Sequence, residues 1–459
     1  MDPYEKRRQE ILYGPITKTL WKMAAPMIIS NIFSTAYNLL DTFWLGGLGT
    51  SSISAPIMSW PVLSLIFSFV MGMGRAAIAL VSQYRGAGRD EDARKAAAHL
   101  MAFLVLTYIP LAIIVYLLLG YIPGLLGLSE EFSRTFMDYA PITLVGQGFM
   151  GFAMMGATIF RTWGYPEISL YVRVPFVLLN AALDPFLIYG WGPFPRLEVR
   201  GAAIATLIAQ ALEATTFIIL LFGHRMVKLR LHHFKPDFSL YKRIIIIGAP
   251  LGASRMITSS GFFVLLIVVS QVGEYMIASW GLVNRIMDVF TWMTFAFNMA
   301  ASTMIGQAIG NNDFDRAKKV ARKNALTVFT LRLIGGLILA IFAREVIGVF
   351  LRNPNDPLRD VVTETTVFGM WTFGLSAAFF ALSIAGMAPF NASGKTHYDM
   401  MISIIRLWGL RVPLSYLLGI VFGFGAPGVW IGMSLSNIVA GIVSYILMEK
   451  GLWVYRVID

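Results

Sequence analysis

Polar and apolar residues alternate in long blocks along this chain. Apolar runs of roughly 20 residues, the length that a helix needs to cross a bilayer, are separated by short polar breaks. Twelve such runs lie near residues 16–44, 53–81, 98–120, 135–160, 168–190, 201–222, 244–270, 277–303, 324–343, 361–388, 399–422 and 428–448. The breaks contain turn-forming residues, as in Gly192-Pro193-Phe194-Pro195. The pattern predicts an all-α polytopic membrane protein with twelve transmembrane helices.

The second half of the chain repeats features of the first half. Pro26 and Pro250 lie 224 residues apart, each inside an apolar run. At the same spacing, matching residues occur in polar loops: Gln83 and Gln307, Gly86 and Gly310, Ala93 and Ala317, Arg94 and Lys318. Further on, Arg173-Val174-Pro175 recurs as Arg411-Val412-Pro413, and Gly201 matches Gly428. Chance similarity between apolar segments is the alternative, and the matching loop residues argue against it.

This repeat predicts the domain organisation. Two copies of six spans that start on the same side are parallel repeats, related by an axis along the membrane normal. We therefore expect two pseudo-symmetric six-helix lobes, residues 1–223 and 244–459. Residues 224–243 form a cytoplasmic inter-lobe linker in this interpretation.

Composition agrees with a membrane protein. Of the 459 residues, 57% are hydrophobic and 14% are charged, and the mean hydropathy is +0.67. A soluble domain is nearer a quarter charged. The chain has no cysteine, which excludes disulfides, thiolate metal sites and a cysteine nucleophile.

The positive charge predicts the orientation in the membrane. The net charge is +11, and the basic residues lie in loops between apolar runs, so we expect no nucleic-acid partner. Lysine and arginine are concentrated at the N-terminus and in the even-numbered loops, for example Arg85 to Lys95, Arg225 to Arg243 and Arg316 to Lys323. Cytoplasmic loops carry this excess. We expect a multi-pass protein of the cell membrane with both termini in the cytoplasm.

The first run contains a carboxylate, Asp41. An ionisable group inside a spanning helix is costly and is by default a functional hypothesis. Tyr37 lies one helical turn earlier on the same face. Pro26, further back, lacks an amide donor and so favours a bend in this helix.

A second group of polar residues is predicted at the same depth. Asn180 and Asp184 are four residues apart in the fifth run, with no lysine or arginine near them. Asp41 and Asp184 each precede a glycine at the outer end of their run by a few residues. Thr206 lies about five residues into the sixth run, and a rise of about 1.5 Å per residue places it at the same depth. These oxygen-bearing side chains suit a proton or Na⁺, with Asp41, Asn180 and Asp184 as possible Na⁺ ligands.

Structural roles for these residues stay open. A single intramembrane aspartate can bridge to a neighbouring helix, and an aspartate before a proline can adjust a kink. Thr206 can bond back to its own helix. Two carboxylates at one depth favour a functional site over these alternatives.

The second half lacks this set. Leu265 stands at the position of Asp41, and Leu418 and Phe422 stand at the positions of Asn180 and Asp184. Its own charged pair, Arg285 and Asp288, is interpreted as an intrahelical ion pair.

Motifs for catalysis are missing from the sequence. There is no Gly-Lys-Ser/Thr phosphate loop, no His-Glu-x-x-His and no Gly-x-Ser-x-Gly. We therefore expect neither an enzyme nor an ATP-driven pump, and no cofactor other than a coupling ion.

The sequence resembles the multidrug and toxic compound extrusion (MATE) transporters, in their DinF-like prokaryotic branch. The resemblance covers essentially the whole chain. It is carried by Pro26, the segment from Tyr37 to Trp44, the loop that starts at Gln83, the segment from Asn180 to Pro185, and the segment from Gly201 to Thr206.

The resemblance implies export of cationic or amphipathic drugs in exchange for H⁺ or Na⁺, by alternating access. Asp41, Asn180 and Asp184 would then be the cation-coupling residues, and Thr206 a further candidate. Pro26, Tyr37, Asp41 and Asp184 would gate the substrate cavity, with the first helix bending at Pro26. The partners implied are small-molecule drugs, the coupling ion and membrane lipids, and we expect a monomer.

Two rival functions remain at this point. A lipid-linked oligosaccharide flippase of the same superfamily would share the repeat, although paired acids do not suit a pyrophosphate. A channel would need a continuous polar path, which the sequence does not display.

Overall fold

The computed structural model describes residues 3–46, 48, 56, 59, 63, 72–125, 130–351 and 357–458. Within these ranges the chain is helical and contains no strand. Among the described residues, the helices of at least eleven residues in the first half are α1 (Pro3–Tyr13), α2 (Ile16–Gly46), α3 (72–86), α4 (Asp90–Leu119), α5 (Glu130–Thr162), α6 (Pro166–Tyr189) and α7 (Glu198–Gly223). Those of the second half are α8 (Phe238–Val272), α9 (Glu274–Gly310), α10 (Phe314–Ile341), α11 (Arg359–Ala392), α12 (His397–Val421) and α13 (Gly425–Glu449).

These helices confirm the predicted fold class. Among the described residues, nine helices are long and apolar enough to cross a membrane: α4 to α8 and α10 to α13. Helices α2 and α9 are 31 and 37 residues long. Helix α3 is the described end of the predicted second span, and the rest of that span lies largely outside the described residues. Together they make the predicted twelve-helix fold.

The chain divides into two compact units. The first comprises Met1–Gln9 and Ala25–Gly252, and the second comprises Glu10–Ala24 and Ala253–Asp459. Three divisions fall within helices: one lies inside α1, and the other two lie beside prolines, Pro26 inside α2 and Pro250 inside α8. The predicted lobes, residues 1–223 and 244–459, stay a proposal. The two compact units have other boundaries, and the predicted linker 224–243 lies inside the first unit.

The repeat is visible in the backbone of two loops. Helix α3 ends in a Schellman turn with Gly88 in the left-handed region (φ +73°), and α9 ends in the same turn with Asn312 there (φ +60°). The bonds correspond pair by pair at the spacing of 224: Gly88 N to Arg85 O and Asn312 N to Ile309 O, Arg89 N to Tyr84 O and Asp313 N to Ala308 O. The copied loops predicted from sequence therefore adopt one conformation.

A close helix approach is also repeated. A Cβ at Gly201 of α7 would lie 2.3 Å from the carbonyl oxygen of Leu187 in α6. A Cβ at Gly428 of α13 would lie 2.4 Å from the carbonyl oxygen of Leu418 in α12. Only glycine permits backbones to approach this closely, and small residues are typical of such membrane-helix contacts.

The predicted linker packs on the beginning of α4. Its contacts join Val227 O to Arg94 Nε (2.7 Å), Asp237 Oδ2 to Lys95 Nζ (2.7 Å) and His233 Nε2 to Glu91 Oε2 (2.8 Å). The bond from the Lys95 ammonium holds the pKa of the Asp237 carboxyl well below its usual range. The linker is thus an ordered part of the first unit.

Candidate functional site

The candidate site lies in the first unit and begins with two acidic side chains near helix ends. Asp41 lies five residues before the end of α2, and Asp184 lies five residues before the end of α6. Pro185 follows Asp184 directly and has no N–H, so the carbonyl of Ala181 receives no helical bond there. The two acids lie close enough for the charge of Asp41 to act on Asp184.

The oxygens of this site are buried and short of donors. Asp184 is fully buried and Asn180 is 3% exposed, whereas Asp41 is half-buried. Among the described residues, no hydrogen-bond donor reaches Oδ1 of Asp41, Oδ1 of Asn180 or either carboxylate oxygen of Asp184. Buried acceptors without donors are costly, and a proton or a small cation removes that cost. This set of acceptor oxygens therefore fits H⁺ or Na⁺ as a transported ion.

An apolar cluster covers the site at the helix ends. Its buried members are Leu45, Ile188, Val199 and Ala202, and Trp44, Leu48, Tyr139 and Tyr189 pack against it. The hydroxyl of Tyr189 donates to the carbonyl of Trp44 at 2.5 Å, which ties the end of α6 to the end of α2. We call these eight residues the apolar cap. Leu45 and Ile188 lie one turn beyond Asp41 and Asp184, so the cap shields the acids on that side.

Tyr139 of α5 is a member of the site that sequence reasoning missed. The charges of both Asp41 and Asp184 act on its side chain. A tyrosine near the end of a spanning helix is usually an interfacial anchor. Its position in the fourth apolar run was visible, but the face of α5 that meets the acids was not.

The other predicted residues, Thr206, Tyr37 and Pro26, lie on α7 and α2. Thr206 of α7 is half-buried and lies one turn from Ala202 of the apolar cap. Tyr37 belongs to α2, but its side chain lies outside the described residues. Pro26 is half-buried inside α2. The coupling and gating roles of all these residues stay predictions.

The corresponding positions of the second unit differ in character. Leu265 is fully buried in an apolar core cluster. The repeated glycine contact makes Leu418 the counterpart of Leu187, so Ser415 stands at the position of Asp184 in place of the expected Phe422. Asp288 and Arg285 are both exposed, and the charges of Arg285 and Arg332 both act on Asp288. The Arg332 guanidinium donates to the Met287 carbonyl at 3.0 Å. The predicted ion pair is therefore a set of three charged groups.

Charged groups inside α6 and α7 are a further correction. We expected no lysine or arginine near the acids, but Arg173 lies in α6 itself and its charge acts on Glu213 of α7. Arg173 and Glu213 both stand in apolar runs of the sequence, so their presence inside spanning helices could have been predicted.

Comparison with known proteins gives a family match and several relatives. Residues 26–186 and 250–417 match the family MatE. The probable multidrug resistance protein YoeA of Bacillus subtilis is 25% identical over 431 residues, covering 92% of the chain and 90% of that protein. The FAD transporter of Shewanella oneidensis is 25% identical over 450 residues, covering 97% of both chains.

A solved structure gives the same fold. A crystal structure described as MATE in the straight conformation has a TM-score of 0.88 and 24% identity, and the match covers 96% of the chain and 97% of that structure. The two matched segments begin at Pro26 and Pro250, the prolines of the repeat. The first segment contains Asp41, Asn180 and Asp184.

Proposed function

The chain belongs to the MatE family, whose members are transporters and not enzymes, and from that premise we propose that it is a secondary active efflux antiporter. It exports cationic or amphipathic compounds in exchange for H⁺ or Na⁺. The observation that supports this most directly is the Asp41–Asp184 pair, with buried oxygens that no described donor reaches.

Exchange follows from competition for this negative charge. With both carboxylates ionised, the site attracts a cationic compound. Binding of H⁺ or Na⁺ neutralises the site and removes that attraction. Coupling requires that the two ligands compete for one charge or stabilise different conformations of the protein. In alternating access, neutralisation at Asp41 favours bending of α2 at Pro26, which expels the substrate.

Transport in reconstituted vesicles tests this function. The purified protein is inserted into lipid vesicles, and ethidium transport is followed by fluorescence with a pH gradient and a Na⁺ gradient imposed separately. We expect ethidium to move against its gradient under at least one of them. A channel would dissipate the ion gradient without accumulating ethidium, and that result would contradict antiport.

A second candidate, export of an anionic compound, is favoured by a specific observation. Arg406 and Arg411 of α12 are 7% and 4% exposed, and the charge of Arg406 acts on Arg411. Arg411 donates to Ser436 Oγ (3.0 Å) and to Asn437 Oδ1. The relative from Shewanella is named an FAD transporter. Radiolabelled FAD in the same vesicles separates the two, since the acidic site alone does not attract an anion.

Replacing Pro26 by alanine should slow transport more than it weakens binding. Alanine restores the amide donor that α2 lacks at this position and straightens the helix. We expect ethidium affinity, measured by fluorescence polarisation, to stay within a few-fold of the original while gradient-driven efflux falls. Pro175→Ala in α6 is the matched control. Unchanged efflux by Pro26→Ala would show that no proline-dependent bend takes part.

We propose that both termini lie in the cytoplasm, and cysteine labelling checks this. Because the chain has no cysteine, Glu130→Cys and Lys318→Cys introduce single thiols at exposed positions. In intact cells a membrane-impermeant maleimide should label the thiol at 130 at once and the thiol at 318 only after permeabilisation. Equal labelling of both before permeabilisation would overturn the orientation.

A further inference from the structure

Glu213 is an acidic residue in the interior of a spanning helix that the proposed mechanism does not use. It lies fifteen residues from the start of α7 and ten from its end. Its side chain is half-buried. Carboxylates at such positions are costly and mark ion pathways in membrane proteins.

The partner of Glu213 belongs to the helix that carries Asp184. The positive charge of Arg173 acts on Glu213 across α6 and α7, which pack against each other. Between Tyr139 and Arg161, α5 carries no titratable side chain. On α6, Glu167 and Tyr171 precede Arg173, and no further titratable side chain follows before Asp184. Arg173 is therefore the charged group that balances Glu213 from the packed helices.

Helical spacing connects this pair with the acid site. Thr206, Gln210 and Glu213 are four and three residues apart, and they share one face of α7. Arg173, Asn180 and Asp184 are seven and four residues apart and share one face of α6. Glu213 lies about 10 Å beyond Thr206 along the helix axis, at about 1.5 Å per residue. The pair thus lies between the acid site and the membrane face where α7 ends.

Some polar atoms at this level of α5, α6 and α7 have no partner among the described residues. Gln210 packs against Gly146 of α5, where an added Cβ would lie 2.5 Å from its Oε1. The neighbouring Gln147 is 7% exposed. Among the described residues, no hydrogen-bond partner reaches Oε1 of Gln210, Oε1 of Gln147 or Nε of Arg173. The buried amide oxygen of Gln210, without a donor, suits a bound water molecule better than close packing of apolar helices.

We propose that Glu213, whose charge is balanced by Arg173, is a second proton-binding site, through which protons pass between Asp184 and the membrane face where α7 ends. A proton leaves the Asp184 carboxylic acid, which becomes a carboxylate, and Glu213 takes up a proton to become neutral. Glu213 then releases a proton to the solution at that face and becomes a carboxylate again, balanced by the charge of Arg173. This inference rests on the proposed function and specifies the coupling ion.

Arg173 favours H⁺ over Na⁺ at this position. Na⁺ beside a guanidinium experiences repulsion between like charges, which is strong in a low dielectric. A proton bound to Glu213 is part of a neutral carboxylic acid and avoids that repulsion. The pair therefore passes protons and rejects Na⁺.

The test compares loss of the carboxylate with loss of both charges. Glu213→Gln should bind ethidium within a few-fold of the original affinity, while efflux driven by a pH gradient falls at least tenfold. Glu213→Asp should recover part of the rate. The double variant Arg173→Met, Glu213→Met removes both charges, which packed membrane helices tolerate better than loss of one partner. It should fold and bind ethidium, yet remain slow. Glu130→Gln, at an exposed carboxylate, is the matched control.

A measurement independent of drug transport separates this inference from the proposed function. A pH jump is applied to one side of oriented vesicles, and infrared absorption of protonated carboxylic acids is followed with time. From the face where α7 ends, protonation of the Asp41–Asp184 pair should be at least tenfold slower in Glu213→Gln. Equal rates in the two proteins, or normal efflux by the double methionine variant, would make the pair purely structural and overturn the inference. Failure of the unmodified protein to move ethidium would contradict only the proposed function.

Discussion

Asp41→Asn will abolish gradient-driven efflux of ethidium without unfolding the protein. Asparagine has nearly the shape of aspartate, but it is fixed in the uncharged state and has no proton or Na⁺ to exchange. The substitution also removes the repulsion between the negative charge of Asp41 and the carboxylate of Asp184. In vesicles with an imposed pH or Na⁺ gradient, we expect efflux at the level of vesicles without protein.

Asp184→Asn should have the same effect or should shift the pH optimum of efflux markedly. The two carboxylates interact, so their protons are bound by the pair and not by either residue alone. With one acid removed, the other titrates without its neighbour's charge. Measurement of the efflux rate against pH for both variants shows whether they form one unit.

Asp288→Asn in α9 is the matched control for both variants. Asp288 is exposed, and its charge is balanced by Arg285 and Arg332. We expect this variant to retain coupled efflux, with some loss of stability. If it uncouples transport while Asp41→Asn leaves transport intact, the cation site lies in the other half of the protein.

The depth of the acids could be predicted from sequence because a helix has a fixed rise per residue. Asp41 and Asp184 lie equally far from the ends of α2 and α6, and the charge of Asp41 acts on Asp184. The internal repeat could also be predicted from sequence, and the structure agrees with it, since Gly201 and Gly428 make the same backbone contact. Both predictions needed only distances along the chain.

Contacts that depend on the rotation of a helix could not be predicted in this way. Tyr139 lies within the electrostatic range of both acids because of the face of α5 that packs on the apolar cap. Glu213 and Arg173 could both be recognised in the sequence as charged residues in apolar runs. Whether the charge of one acts on the other depends on how α6 and α7 are rotated. A single sequence does not fix that rotation, because membrane helices lack the one-sided hydrophobic pattern of soluble ones.

Gly201→Ala should destabilise the protein and disturb the cation site together. The added Cβ would lie 2.3 Å from the carbonyl oxygen of Leu187 and 2.8 Å from the amide nitrogen of Ile188. These are backbone atoms, so α6 and α7 must separate, at a cost of about 1–3 kcal/mol for an overpacked contact. Leu187 is three residues from Asp184, and the shift therefore moves the site. We expect a lower unfolding temperature in detergent and a loss of gradient-driven efflux.

Two further glycine variants separate the loss of stability from the loss of function. Gly428→Ala meets the equivalent carbonyl of Leu418 at 2.4 Å and should lower the unfolding temperature by a similar amount. Its unit has no counterpart of the paired acids, so competition between ethidium and H⁺ or Na⁺ in binding assays should persist. Gly281→Ala in α9 meets nothing within 4 Å and gains about 1 kcal/mol of helix propensity, so it should not destabilise the protein. Loss of the ion competition in Gly201→Ala alone would locate the cation site at the α6–α7 contact, whereas a Gly201→Ala protein as stable as the original would show that the two backbones do not touch there.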